Sequence, residues 1–61
     1  MTVKVGDWVR FYQGGELVIG VIQYLEKNSI GHMVAKTDIG AVDVQYILEA
    51  RGQQGVDDGT R

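Results

Sequence analysis

The segment Val5-Gly6-Asp7-Trp8-Val9-Arg10-Phe11-Tyr12 decides the fold, because apolar residues recur in it with a period of two. Such alternation is typical of a strand with one buried face. Gly6-Asp7 interrupts the pattern and predicts a bend or bulge. The apolar residues at odd-numbered positions are expected to face inward; they are Val3, Val5, Val9 and Phe11.

On the C-terminal side of this segment, glycine-containing or polar turns divide the chain into short strands. The predicted turns are residues 13–16, 26–29 and 38–40. The predicted strands after the first are residues 17–25, 30–37, 41–44 and 48–50. Five short strands at regular spacing indicate an all-β fold, a five-stranded antiparallel small barrel.

The strand at residues 17–25 is apolar on both of its faces. One face would carry Leu17, Ile19, Val21 and Leu25, and the other Val18, Ile22 and Tyr24. Gly20 between them predicts a kink or a close approach of another backbone. Because a half-buried strand needs a polar outer face, either barrel curvature around Gly20 or another subunit must cover the apolar side chains of the second face. The pattern favours a homo-oligomer.

Length and composition predict one small domain over residues 1–51 and a disordered tail over residues 52–61. The chain has 61 residues, and a chain of this size has a marginal core. From Gly52 onward the sequence is rich in glycine and polar residues, with Val56 its one aliphatic residue. Such a segment cannot bury enough surface to offset its ordering entropy.

Several classes of function are disfavoured by the composition. Without cysteine there is no disulfide framework and no thiolate nucleophile. His32 is the single histidine and Ser29 the single serine, so we expect no catalytic triad, no metal site and no cofactor. His32 is expected at the surface or at a strand edge, and Asp7, Asp38 and Asp43 are expected to accept backbone N–H bonds in turns. No apolar run is long enough to span a bilayer, so a cytoplasmic protein without membrane contact is expected.

Outward aromatic side chains are the best functional lead in the sequence. If Val9 and Phe11 face the core, then Trp8, Arg10 and Tyr12 face outward and form a ligand-binding surface. Depending on register, Tyr24 and Lys36 join this surface, whereas Tyr46 is expected to pack at the barrel end. In the alternative, a bulge at Gly6-Asp7 reverses the parity and buries Trp8.

Three segments together resemble an SH3-like small barrel. They are Val5-Gly6-Asp7-Trp8-Val9-Arg10-Phe11, Gly20-Val21-Ile22, and residues 42–49 with their closing Leu48-Glu49. Tudor-like and KOW-type modules share this pattern, as do many small phage and plasmid proteins. The resemblance covers residues 3–51 and implies a fold that hosts many unrelated functions.

The chain also resembles the plasmid-encoded type II dihydrofolate reductases. The matching strings are Gly6-Asp7-Trp8-Val9-Arg10, Gly20-Val21-Ile22-Gln23-Tyr24 and Leu48-Glu49-Ala50-Arg51. That family is homotetrameric, and a Val-Gln-Ile-Tyr run binds substrate in its central pore. Here the corresponding run is Val42-Asp43-Val44-Gln45-Tyr46. Either Asp43 replaces the Gln and Gln45 the Tyr, or Gln45 and Tyr46 stand adjacent with the spacer lost and so face opposite sides of a strand.

The sequence therefore favours a non-catalytic binding or adaptor module of phage, plasmid or gene-cassette type. Its predicted ligand-binding residues are Trp8, Arg10, Tyr12, Tyr24 and Lys36, with an unidentified protein or nucleic acid as partner. One alternative is a reductase-like oligomeric pore enzyme. The other is a nucleic-acid-binding small barrel that uses the same aromatic residues with Lys4, Lys27 and Lys36. A net charge of −2 argues against strong non-specific nucleic-acid binding.

Overall fold

A computed structural model describes residues 2–52 as one antiparallel sheet of five strands. The strands are β1 (Trp8–Gln13), β2 (Glu16–Lys27), β3 (Met33–Thr37), β4 (Gly40–Asp43) and β5 (Glu49–Arg51), with a 3₁₀ turn (Val44–Tyr46) before β5. The strand order in the sheet is β4-β3-β2-β1-β5. The prediction of an all-β domain with five antiparallel strands is confirmed.

The β1–β2 hairpin turns through Gly14 and Gly15, as the sequence predicts. Their φ angles are 59° and 86°. This is the left-handed region that two-residue hairpin turns require, and glycine enters it without steric cost. Gln13 and Glu16 face each other at the end of the ladder. The turn chemistry therefore fixes the register of the whole hairpin.

The bend before β1 is present at Gly6 and Asp7. Gly6 has a φ of 95°. Its N–H donates to the Ile22 carbonyl at 2.9 Å, and the Asp7 side chain accepts the Lys4 N–H at 3.0 Å. β1 begins at Trp8, after this bend, and Val5 on its other side is exposed. The prediction of an inward Val5 is therefore wrong.

A bulge between Ile22 and Tyr24 explains part of the two-sided apolar pattern of β2, namely the inward position of Leu25. The pairing of β2 with β3 shifts by one residue there, so inward and outward positions exchange. Before the bulge the even positions Val18 and Ile22 contribute to the core, and after it the odd position Leu25 does. The outward apolar residues of β2 are Leu17, Ile19, Val21 and Tyr24.

The core is small. Among residues 2–52 six apolar side chains are buried: Val9, Phe11, Ile22, Ala35, Val42 and Ile47. Phe11, Ile22 and Val9 are the largest of those that solvent hardly reaches. Five partly buried residues pack around them, namely Val3, Val18, Leu25, Val44 and Ala50.

Gly20 is closely approached by side chains of the β3–β4 region, whereas the sequence predicts a kink or the approach of another backbone. A Cβ atom at this position would lie 2.8 Å from Thr37 Oγ1 and 2.9 Å from Thr37 Cβ. The β3–β4 turn is held against β2 beside it, because Asp38 Oδ1 accepts the Val21 N–H at 2.9 Å. The Gln13 side chain reaches the same turn and donates to the Ile39 carbonyl at 2.8 Å.

The predicted third strand begins later than expected. Residues 28–32 form a turn in which Asn28 Oδ1 accepts the N–H groups of Ile30 and His32 at 3.1 and 2.9 Å. These bonds compete with strand pairing, so β3 begins at Met33.

Apart from Gly52, the predicted tail lies outside the described residues. Within the described residues, no helix has the length and apolar character needed to cross a membrane.

Candidate functional site

The outward side of β1 carries the three side chains that the sequence places there. Trp8 is 50% exposed and Tyr12 is 63% exposed, whereas Val9 and Phe11 beside them are buried. Arg10 projects outward between the two rings. The parity alternative that buries Trp8 is therefore wrong, because the bend at Gly6-Asp7 ends before the ladder begins.

Outward residues of β2 continue this surface. The ladder places Val21 opposite Trp8, Ile19 opposite Arg10, and Leu17 opposite Tyr12. Directly opposite residues of an antiparallel pair project to the same side of the sheet, with Cβ atoms about 4.5–5.5 Å apart. Leu17 and Ile19 are half exposed. Three alternate rungs of the ladder thus form an apolar surface, with the rings of Trp8 and Tyr12 on one strand and aliphatic side chains on the other.

Two charged residues of β5 complete the surface. Arg51 lies opposite Trp8, and Glu49 lies opposite Arg10. We call this set of outward side chains the Trp8 face; it consists of Trp8, Arg10, Tyr12, Leu17, Ile19, Val21, Glu49 and Arg51.

The charges of the Trp8 face are paired with each other. Arg51 Nε donates to Glu49 Oε2 at 2.9 Å, and Arg10 Nη1 lies 3.5 Å from Glu49 Oε1. The hydrogen bond from Arg51, followed by the positive charges of Arg51 and Arg10, lowers the pKa of the Glu49 carboxyl below its ordinary value. Glu49 is thus held ionised between two guanidinium groups.

A shallow groove of about 360 Å³ crosses the Trp8 face. It is lined by Trp8, Val9, Arg10, Ile19, Glu49 and Arg51. Tyr12 lines a different groove, together with Tyr46, Leu48 and residues of β4. Trp8 and Tyr12 therefore sit on one strand face but at the edges of two neighbouring depressions.

Tyr24 and Lys36 are separate from the β1 residues in the ladder. They face each other across the β2–β3 pair, beyond the bulge in β2. Tyr24 is exposed and Lys36 is partly buried, and neither lines the grooves of Trp8 or Tyr12. The structure thus brings together three of the five predicted site residues on β1 and places the other two as a pair on β2 and β3.

Tyr46 differs from its predicted packing role. The 3₁₀ turn raises it out of the sheet, and its side chain is 65% exposed. Ile47, the next residue, enters the core in its place. A change from extended chain to a 3₁₀ turn alters the direction of successive side chains, and alternation along a strand cannot anticipate it.

A polar cluster of His32, Asp43 and Gln45 was not anticipated. His32 Nδ1 lies 3.0 Å from Asp43 Oδ2, and the Gln45 side-chain amide donates to the same oxygen at 3.3 Å. Asp43 also caps the 3₁₀ turn by accepting the Gln45 N–H at 3.1 Å. That backbone bond, together with the contacts to His32 and to the Gln45 side chain, lowers the pKa of Asp43 against a smaller opposing effect of desolvation.

The signal for this cluster in the sequence is weak. His32 and Asp43 are separated by 11 positions, and only the pairing of β3 with β4 brings them together. Asp7 and Asp43 accept nearby backbone N–H bonds, as predicted, from Lys4 and Gln45. Asp38 accepts instead from Val21 on β2, 17 residues away.

The Trp8 face offers an indole, a phenol, three aliphatic side chains and an ionic triplet. Within residues 2–52, no group of three or more His, Asp or Glu side chains is placed to hold a metal ion. No family model, no curated protein and no solved structure matches the chain.

Proposed function

We propose that the chain is a non-catalytic binding module, and that its binding surface is the Trp8 face. The observation that carries the proposal is the run of three exposed rungs in the β1–β2 ladder. Trp8, Tyr12 and Ile19 are each at least half exposed there, although each would be stabilised by burial. Contiguous exposed apolar surface with aromatic residues and arginine is typical of protein interfaces.

A protein surface fits this face better than a nucleic acid does. Phosphate binding depends on cations that are free to displace counterions. Here Arg10 and Arg51 both contact Glu49, so the triplet has a net charge of one positive unit. The aliphatic strand of the face, with Leu17 and Ile19, offers dispersion contacts that suit an apolar protein surface.

The proposed fold is an SH3-like small barrel. The long strand β2 takes part in two ladders, one with β1 and one with β3, on either side of its bulge. The 3₁₀ turn then leads into β5, and the Leu48 N–H donates to the Arg10 carbonyl at 2.8 Å where β5 joins β1. This order of elements supports the SH3-like description, which a solution structure would test.

Selection of peptides provides the test of the binding module. Wild-type chain is attached to a support at low density, so that copies cannot meet, and a random peptide library is applied. We expect the enriched peptides to quench or shift the Trp8 fluorescence and to lose at least tenfold in affinity for Trp8→Ala. Ile30→Ala is the matched control, because Ile30 is 72% exposed in the turn before β3.

The same fluorescence signal distinguishes the other functions. Titration with NADPH and with a single-stranded oligonucleotide is expected to give no saturable change in the Trp8 emission after correction for the light that these ligands absorb. Saturable binding of NADPH would support a reductase-like site instead, and saturable binding of the oligonucleotide a nucleic-acid module. Peptides that bind Trp8→Ala as tightly as wild type would show that the Trp8 face is not the binding surface.

A further inference from the structure

We infer that the partner on the Trp8 face is a second copy of this chain, packed face to face about a two-fold axis parallel to β1 and β2. The inference rests on the proposed function, because it names the occupant of the same surface. Three features of the face point to a second copy.

The first feature is the division of the face between two strands. Outward residues of β1 include the rings of Trp8 and Tyr12, whereas those of β2 are aliphatic. A two-fold axis along the midline between the strands places β1 of one copy over β2 of the other. Each ring then meets an aliphatic side chain of the partner, and a two-fold repeats every such contact. The face is therefore complementary to itself.

The second feature is the pairing of charges within the face. Burying an unpaired charge costs several kcal/mol, and a hydrogen-bonded partner offsets much of that cost. Glu49 already contacts both Arg10 and Arg51 within one copy. Each guanidinium therefore already has a carboxylate contact when a second copy covers the face. The one excess positive charge of each copy can stay in water, because Arg51 lies on the edge strand β5 and its side chain is 78% exposed.

The third feature is the size of the core. Six buried apolar side chains within residues 2–52 give little burial for a domain of this size. Small scaffolds add disulfides, a structural metal or oligomerisation. The chain has no cysteine, and its described residues offer no cluster for a metal ion. A second copy that covers the outer face adds burial to so small a core, and it is the partner that is present whenever the chain is made.

Assembly mass gives the first test. Analytical ultracentrifugation of wild type is expected to show a species of twice the 6.7 kDa chain mass. Ile19→Lys puts a charge at the middle rung and should raise the dimer dissociation constant at least a hundredfold. Ile30→Lys is the control at an exposed site outside the face and should leave the mass unchanged. Circular dichroism shows that each variant is folded.

Cross-linking tests the geometry and does not depend on a destabilising charge. Tyr12 and Leu17 are opposite each other on one rung, so the two-fold places Tyr12 of one copy over Leu17 of the other. Because the chain has no cysteine, Tyr12→Cys and Leu17→Cys carry single thiols. Mixing the two, with one carrying a mass tag, should give mixed cross-links with a short bismaleimide in several-fold excess over either self-linked product.

Each failure has a separate meaning. A wild type that is monomeric at millimolar concentration overturns the second-copy inference, and peptides that bind through Trp8 would then leave the proposed function standing. A dimer that Ile19→Lys does not weaken uses another surface and overturns the inference; peptides that also ignore Trp8→Ala would overturn the proposed function with it. Self-linked products in excess over mixed ones overturn the two-fold axis proposed here.

Discussion

The two faces of β1 contain similar residue types in opposite surroundings. Val9 and Phe11 on the inner face are buried, whereas Trp8 and Tyr12 on the outer face are at least half exposed. Both faces lie on the same six-residue strand, so backbone propensity cannot distinguish them. The difference comes from the alternation of the strand and from the bend at Gly6-Asp7 that sets its phase.

The comparison shows that apolar character alone does not assign a residue to the core. In a small sheet, one apolar face stabilises the folded chain and the other is available for contact with a partner. The two roles separate in experiment, because inner residues should control the free energy of unfolding and outer residues should control association. Substitutions on the two faces test this distinction.

Truncation of Phe11 should have the largest effect. Phe11→Ala removes a buried ring and leaves a cavity, which typically costs about 3–5 kcal/mol. Small domains have total stabilities near the low end of about 5–15 kcal/mol, so the variant should be largely unfolded by circular dichroism. Tyr12→Ala is the matched control on the next residue and should remain folded. Equal losses in the two variants would contradict the separation of the faces.

Gly20→Ala should destabilise the chain by about 1–3 kcal/mol, the usual cost of overpacking. The added Cβ would lie 2.8 Å from Thr37 Oγ1, so β2 and β3 must move apart. Gly52→Ala is the control, because a Cβ there meets no atom within 4 Å. Urea unfolding measures both. A Gly20→Ala variant as stable as wild type would show that the approach of Thr37 is not tight.

Trp8→Ala should change the stability of the monomer by no more than about 0.5 kcal/mol, as is usual for surface positions. The measurement is best made in the Ile19→Lys background, where association does not contribute. Steady-state fluorescence supports it, because a half-exposed indole in that monomer should be accessible to acrylamide. A loss of several kcal/mol, or a fluorescence resistant to quenching, would assign Trp8 to the core.

A fall in pH should lower the free energy of unfolding through the protonation of Glu49. The pKa of Glu49 in the folded chain is lower than its unfolded value of 4.5. The ionised carboxylate therefore stabilises the fold at pH values above 4.5. This contribution is lost as the pH falls through the lower folded value. Glu49→Gln should therefore flatten the decrease in unfolding free energy between neutral pH and about pH 3. Some decrease should remain, since the pKa of Asp43 is also lowered.

If Glu49→Gln shows the same pH dependence as wild type, the ion triplet contributes nothing measurable to the fold. Arg51→Gln is the complementary variant, because Arg51 provides the largest effect on the Glu49 pKa. Like Glu49→Gln, Arg51→Gln should make the decrease in unfolding free energy at acid pH smaller.

Much of the fold could be predicted from local signals. The Gly14-Gly15 turn and the alternation around Val9 each depend on neighbouring residues, and both are found where the sequence places them. Local signals suffice here because turn geometry and strand parity are properties of a few consecutive residues.

The remainder depends on contacts between distant residues. The bulge after Ile22 leaves no mark in a segment that is apolar on both parities, and so it could not be located from the sequence. The pairing of His32 with Asp43 and the separation of Tyr24 from Trp8 follow from strand register. Register is decided by the whole sheet, and a single strand carries little information about it.

The hydrogen bonds that attach the β3–β4 turn to the β1–β2 hairpin have a consequence for the order of folding. The two side-chain bonds, from Asp38 to Val21 and from Gln13 to Ile39, close loops of 17 and 26 residues. Closing such loops costs more entropy than forming the hairpin through Gly14 and Gly15. Contacts between distant residues form late for this reason, and they slow the whole reaction. The β1–β2 hairpin, which carries most of the Trp8 face, is thus expected to be in place before the β3–β4 turn docks onto it.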